Sequence, residues 1–130
     1  LAPVDQIHAV PADVFSPCAL GAGLNERTIP ELAAPIICGA ANNQLATEAD
    51  GARVRDRGIA YAPDYVVNAG GIINVSAEYL GEAADVVEGR VRAIAPRLLR
   101  VMDIAHSENL TPHQAADRIV REKLAAAKRT

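Results

Sequence analysis

The sequence predicts an α/β fold, with a sheet of about three parallel strands followed by a C-terminal helical tail. Three observations carry that expectation. Short apolar runs at residues 13–17, 36–38 and 59–63 alternate with segments bearing turn and helix signals. Strands that alternate with helices over short connections pair in parallel through right-handed crossovers. The hydrophobic half of the 130 residues is mostly Ala, Val, Ile and Leu, with one Phe, three Tyr and no Trp. Small aliphatic residues in that number suit helices packed closely on a buried sheet.

The elements follow in order. Asp13-Val14-Phe15-Ser16-Pro17 reads as a short strand stopped at Pro17, followed by a loop of small residues from Cys18 to Gly23. Thr28 with Glu31 three residues later, and Pro30 between them, spells a capping box for one or two helical turns. Ile36-Ile37-Cys38 is an all-apolar run that suggests a strand buried on both faces. Residues 44–57 read as a helix, with Leu45, Ala49, Ala52 and Val54 set against a charged face that includes Glu48, Asp50 and Arg53; Gly58 stands where a helix-terminating glycine belongs. Residues 59–63 form the third strand, and residues 64–80 a mostly apolar helix containing Gly70-Gly71. Residues 83–107 carry an apolar stripe at helical spacing, with a kink expected at Pro96. Thr111-Pro112-His113-Gln114 is a capping box opening a last helix. The expected division is a sheet-bearing part over 1–82 and a helical tail over 83–130 packing on it. Three parallel strands make a poor independent sheet, and the chain opens with Leu1 inside an Ala/Pro/Val stretch, so a portion of a longer protein is expected.

Several function classes fit poorly. The net charge is −3, from 13 basic and 16 acidic residues interleaved along the chain. That leaves no basic stripe for nucleic acid and, with so few aromatic residues, no stacking platform. No apolar run reaches membrane-spanning length and no signal-peptide pattern is present, so neither a nucleic-acid nor a membrane partner is expected. Cys18 and Cys38 lack CxxC or metal-ligand spacing and read as two buried, reduced thiols of a cytosolic protein, with no metal site. His8, His106 and His113 read as solvated side chains. Cys18 has no histidine near it in sequence to make it a nucleophile.

Candidate chemistry therefore sits beyond the carboxyl ends of the strands, where open α/β sheets bind ligands. These ends are Pro17-Cys18-Ala19-Leu20-Gly21, Gly39-Ala40-Ala41-Asn42-Asn43-Gln44, and Ala62-Pro63-Asp64-Tyr65 with Asn68-Ala69-Gly70-Gly71 close behind. Small residues let a flat ligand approach the backbone, and Asn offers donor and acceptor to an amide or to ribose hydroxyls. Each loop alone also reads as an ordinary turn. Asp64 reads as a cap for the following helix before a general base.

Taken together, these loops resemble the leucine/phenylalanine/valine branch of the glutamate dehydrogenase superfamily. The resemblance runs from about Ala12 to the end and is carried most specifically by the stretch from Tyr61 through Gly71 to Val75; Cys18-Ala19-Leu20 and Ala41-Asn42-Asn43-Gln44-Leu45 look most like leucine dehydrogenases. The resemblance implies reversible oxidative deamination of an L-amino acid to a 2-oxo acid, with hydride passing to NAD, on a partial Rossmann-like dinucleotide fold. It implies that Cys18 and Ala19 line the nicotinamide-ribose side and that Asn42 hydrogen-bonds near the ribose or substrate with Asn43 supporting its loop. Asn68 and Gly70 then lie close to the nicotinamide, and Ile72 and Val75 contact the substrate side chain. Two aliphatic residues there favour a branched aliphatic substrate.

The same resemblance implies what lies elsewhere. The family's GxGxxG turn, its adenosine-ribose acid and its catalytic lysine and aspartate fall outside these motifs, so no catalytic residue is assigned here and the chain alone is expected to be inactive. The N-terminal domain of the same enzyme and further copies in a homo-oligomer are the expected partners, beside the amino acid or 2-oxo acid. Pro96 departs from the family's unbroken helix. Two alternatives stay open: a non-catalytic piece whose tail serves assembly, and a phenylalanine or valine dehydrogenase. The choice between NAD and NADP rests on a residue upstream of these motifs.

Overall fold

The computed structural model describes residues 2–128. The chain forms two compact units, residues 1–68 and residues 69–130. The first is α/β. Strands β1 (Val14–Phe15), β2 (Ile36–Ile37) and β3 (Ala60–Tyr61) form a parallel sheet in the order β1-β2-β3. Val14 pairs with Ile36 and Ile36 with Ala60, while Phe15, Ile37 and Tyr61 align in the next row.

Because side chains alternate across a strand, that register sorts the rows onto opposite faces. Ile37 and Tyr61 are buried with Leu24, Ile29, Leu32, Val54 and Ile59, and Phe15 packs against the cluster. Leu24 to Leu32 come from the β1–β2 connection and Val54 and Ile59 from the β2–β3 connection, so both crossovers cover one face. The other face carries Val14 and Ile36, which stay 45% and 43% exposed. The expectation that β2 is buried on both faces is corrected accordingly: within this chain no crossover lies on the Ile36 side.

Helix α1 spans Glu48–Asp56, starting four residues later than the apolar pattern indicates. The reason is tertiary. Residues 43–46 are drawn into pairing with the 22–24 loop through Ala22 N–H to Asn43 O at 2.7 Å, Leu24 N–H to Gln44 O at 2.9 Å and Ala46 N–H to Leu24 O at 2.9 Å. Thr47 then caps α1 in a capping box with Asp50. Asp50, read from sequence as part of the charged face, is buried because its carboxylate is consumed by Thr47 and by Arg53 at 2.7 Å. Gly58 ends the helix in the left-handed region, φ 69°, where any other residue would be strained.

The expected capping box at Thr28 is absent. Thr28 has helical backbone angles, and its hydroxyl donates to Gly23 O at 2.6 Å. Glu31 faces His8 instead, whose Nε2 lies 2.7 Å from its carboxylate. His8 is thus buried and not solvated, as is His113, beside the Thr111 hydroxyl. His106 is exposed.

The single helix expected over 64–80 is two, α2 (Asp64–Val67) and α3 (Gly70–Leu80). The second unit comprises α3, α4 (Ala84–Arg92), α5 (Ile94–Ser107) and α6 (Pro112–Ala127). The expected kink at Pro96 is also corrected. The chain breaks earlier, at Ala93, and Pro96 falls in the first turn of α5, where backbone N–H groups have no helical partner to lose. Helices α5 and α6 pair, with Val101 and Ala105 of one and Ala115, Ala116 and Ile119 of the other buried. The Thr111–Gln114 capping box forms as the sequence indicates.

Candidate functional site

The three loops at the carboxyl ends of the strands converge within the first unit. The β1 and β2 loops meet backbone to backbone. Ala41 N–H donates to Pro17 O at 2.9 Å and Cys38 N–H to Phe15 O at 3.1 Å. At Gly39 the approach is so close that a Cβ would lie 2.2 Å from Pro17 O; at Gly21 it would lie 2.8 Å from Asn42 O. Only glycine fits either contact.

The β2 and β3 loops are joined by side chains. Asn68 Nδ2 donates to Asn42 Oδ1 at 2.7 Å. Asp64, buried at the end of β3, accepts the Asn43 amide on Oδ2 at 2.8 Å and the Tyr61 hydroxyl on Oδ1 at 2.9 Å. Asp64 is therefore not a cap of its own helix, as the sequence suggested; α2 has no side-chain cap. Burial, and then the Asp64 charge beside it, push the Tyr61 hydroxyl far above the ordinary phenol range, so it stays a donor. Asn43 adopts a left-handed backbone, φ 53°. Gln44 is buried, its Nε2 donating to Gly39 O at 2.8 Å and Ala41 O at 2.9 Å, while its Oε1 has no partner among the described residues.

Cys18 corrects the reading of two buried thiols: it is exposed and Cys38 is half-buried, both free. A hydrogen bond with Ser16, then the Ala40 amide, hold the Cys18 thiol below its usual range. The loops leave usable chemistry facing solvent. The Asn42–Asn68 bond consumes one acceptor and one donor, so Asn42 still offers its amide N–H groups and Asn68 its carbonyl. This donor and acceptor set, beside the small exposed residues Cys18 and Ala19, can hydrogen-bond a planar amide or sugar hydroxyls.

The remaining sequence-predicted residues lie on α3 in the second unit. Gly70 opens the helix, and among the described residues no atom beyond its chain neighbours and its own helix backbone lies within 4 Å of a Cβ built on it. Ile72 and Val75, three apart on one helix face, are 68% and 59% exposed. Among the described residues, no cluster of three or more His, Cys, Asp or Glu could hold a metal ion, and no helix is long and apolar enough to cross a membrane.

Residues 1–130 match the family model described as glutamate/leucine/phenylalanine/valine dehydrogenase. The chain belongs to this family. It is 42% identical over 126 residues to a leucine dehydrogenase of Thermoactinomyces intermedius, covering 97% of this chain and 34% of the relative. It is 45% identical over 116 residues to a valine dehydrogenase of Streptomyces albus, covering 89% of this chain and 32% of that one. The crystal structure of L-tryptophan dehydrogenase from Nostoc punctiforme is similar at a TM-score of 0.91 and 41% identity, over 98% of this chain and 38% of that chain. This family member thus spans about a third of the length of the curated relatives it matches.

The strand-end loops are legible in the sequence; the contacts that hold them together are not. The sequence does not single out the buried roles of Tyr61 and Gln44 or the Gly39–Pro17 contact, and Asp64, which reads there as a helix cap, joins Tyr61 to Asn43. The available signal was at Tyr61, a polar-tipped side chain between Ala60 and Ala62 in an apolar strand.

Proposed function

We propose that this chain is the C-terminal portion of an NAD-dependent amino-acid dehydrogenase that converts a branched-chain L-amino acid such as leucine reversibly to its 2-oxo acid. The carrying observation is the Asn42–Asn68 hydrogen bond, 2.7 Å long, which joins two strand-end loops in a member of this family. NAD, when bound, accepts the hydride from the substrate carbon. In this reading Asn42 and Asn68 hydrogen-bond the nicotinamide-ribose end, and Asn43 supports their loop. Cys18 and Ala19 line the same side, and Gly70 leaves room for the nicotinamide ring. Ile72 and Val75 meet the substrate side chain, and their aliphatic character favours leucine-like substrates over aromatic ones. Residues 1–82 then contribute to a Rossmann-like dinucleotide-binding domain and 83–130 form a helical tail. The catalytic lysine and aspartate lie in an N-terminal domain, and the enzyme works in the cytoplasm as a homo-oligomer.

The test is NADH formation with leucine, isoleucine, valine and phenylalanine by protein isolated from its natural host, with intact mass spectrometry of the same sample. Branched-chain turnover that falls about tenfold or more in Asn42→Ala supports the reading, since each tenfold step is the size of one lost polar contact. Turnover indifferent to Asn42 removes the site. A sample containing only residues 1–130 is expected to turn over none of the four.

A further inference from the structure

Asp64 is 7% exposed, yet among the described residues no Lys or Arg forms an ion pair with it. A buried carboxylate held by neutral donors is costly to keep without a role that needs both of its oxygens. Both are used. Oδ1 takes the Tyr61 hydroxyl from the end of β3, and Oδ2 takes the Asn43 amide from the loop after β2. The backbone carbonyl of the same residue accepts the Asn68 amide at 2.8 Å. One residue therefore touches the supports of both Asn42 and Asn68. The residue it grips, Asn43, has φ 53°, a left-handed turn that asparagine adopts at little cost, so the carboxylate holds a loop already shaped for it.

We propose that Asp64 is a positioning residue for the nicotinamide end of the cofactor: its carboxylate sets the backbone of Asn43, and thereby aims the side-chain amide of Asn42 alongside Asn68. The inference rests on the reading of Asn42 and Asn68 as cofactor contacts. It assigns Asp64 no contact with substrate or cofactor and no proton transfer.

Asp64→Asn tests it. An amide of the same shape has one acceptor oxygen for two donors, so either Tyr61 or Asn43 faces an N–H₂ group. The expected result is an NADH affinity about tenfold weaker, measured by fluorescence titration of the full-length protein. Tyr61→Phe separates positioning from bulk stability, because it removes a buried hydrogen bond but leaves the Asn43 contact. It is expected to lower the melting temperature while NADH affinity stays within about twofold. Affinity losses that follow the melting temperature in both variants overturn the proposal. Asn42→Ala serves as the control for the underlying reading. If it binds NADH as well as the parent, the cofactor assignment itself fails; if it binds weakly while Asp64→Asn binds normally, only the role of Asp64 fails. Should Asp64→Asn not fold, amide hydrogen exchange of the unaltered protein decides. Asn43 N–H is expected to be protected and to gain protection on adding NADH, and exchange at the rate of a free amide overturns the proposal.

Discussion

Gly39→Ala is a one-methyl change that should disable the junction of two loops. The added Cβ would lie 2.2 Å from Pro17 O, 2.5 Å from Pro17 N and 2.6 Å from Pro17 Cδ. All three atoms belong to backbone or to a closed ring, so no side chain can swing aside. The two strand ends would have to part by about an ångström or more to restore ordinary contact. That movement breaks the Ala41 N–H to Pro17 O bond of 2.9 Å and strains the neighbouring Cys38 N–H to Phe15 O bond of 3.1 Å. Overpacking of this kind costs roughly 1–3 kcal/mol, and the lost hydrogen bond adds about 1 kcal/mol. Against a total stability of about 5–15 kcal/mol, the melting temperature should fall by roughly 10 °C. Circular-dichroism melting reads the stability and an NADH titration reads the site, whose Asn42 lies three residues from the clash. Gly71→Ala is the control, because nothing lies within 4 Å of its added Cβ. A Gly39→Ala protein that melts within about 2 °C of the parent would show that the strand ends part freely and would refute the close-packed junction.

Other expectations can be checked as directly. Gly70→Ala meets no atom of the described residues beyond its own helix backbone and chain neighbours within 4 Å, so stability should hold or rise by up to about 1 kcal/mol, while NADH affinity drops severalfold if the proposed role of Gly70 holds; undiminished affinity removes Gly70 from the proposed cofactor site. Cys18 is exposed and its thiol lies below the usual range through Ser16 and the Ala40 amide, so alkylation near neutral pH should reach it before Cys38. Ser16→Ala should raise the thiol and shift the rate curve to higher pH, and a curve that does not move contradicts the assigned cause. For Asp50, burial opposes ionisation, but hydrogen bonds from Thr47 and Arg53 outweigh it and hold the carboxyl below its ordinary value. Its contribution to stability is therefore present above the unfolded-state value of about 3.9 and lost as pH falls through the lower folded-state value. Asp50→Asn should cost about 1 kcal/mol at neutral pH and flatten the loss of melting temperature below about pH 4; the parent's acid profile in the variant would rule this out.

What the sequence determined by itself were features whose causes lie within a few residues of one another. The three parallel strands follow from apolar runs bounded by turns, the α6 start from the Thr111–Gln114 capping box, and the α1 end from Gly58. The family motifs are local too, which is why membership of the family is legible in the sequence. Tertiary structure decided what depended on residues far apart in the chain. Helix α1 starts at Glu48 because the 22–24 loop captures residues 43–46. His8 is buried because Glu31, 23 positions away, reaches it. Ile36 is exposed because both crossovers fall on the Ile37 face. Asp64 joins Asn43 across 21 positions, which no local pattern encodes. Caps and turns are governed by short-range sterics and hydrogen bonds, whereas burial and the pairing of polar groups are settled only when distant segments compete for the same space and the same donors.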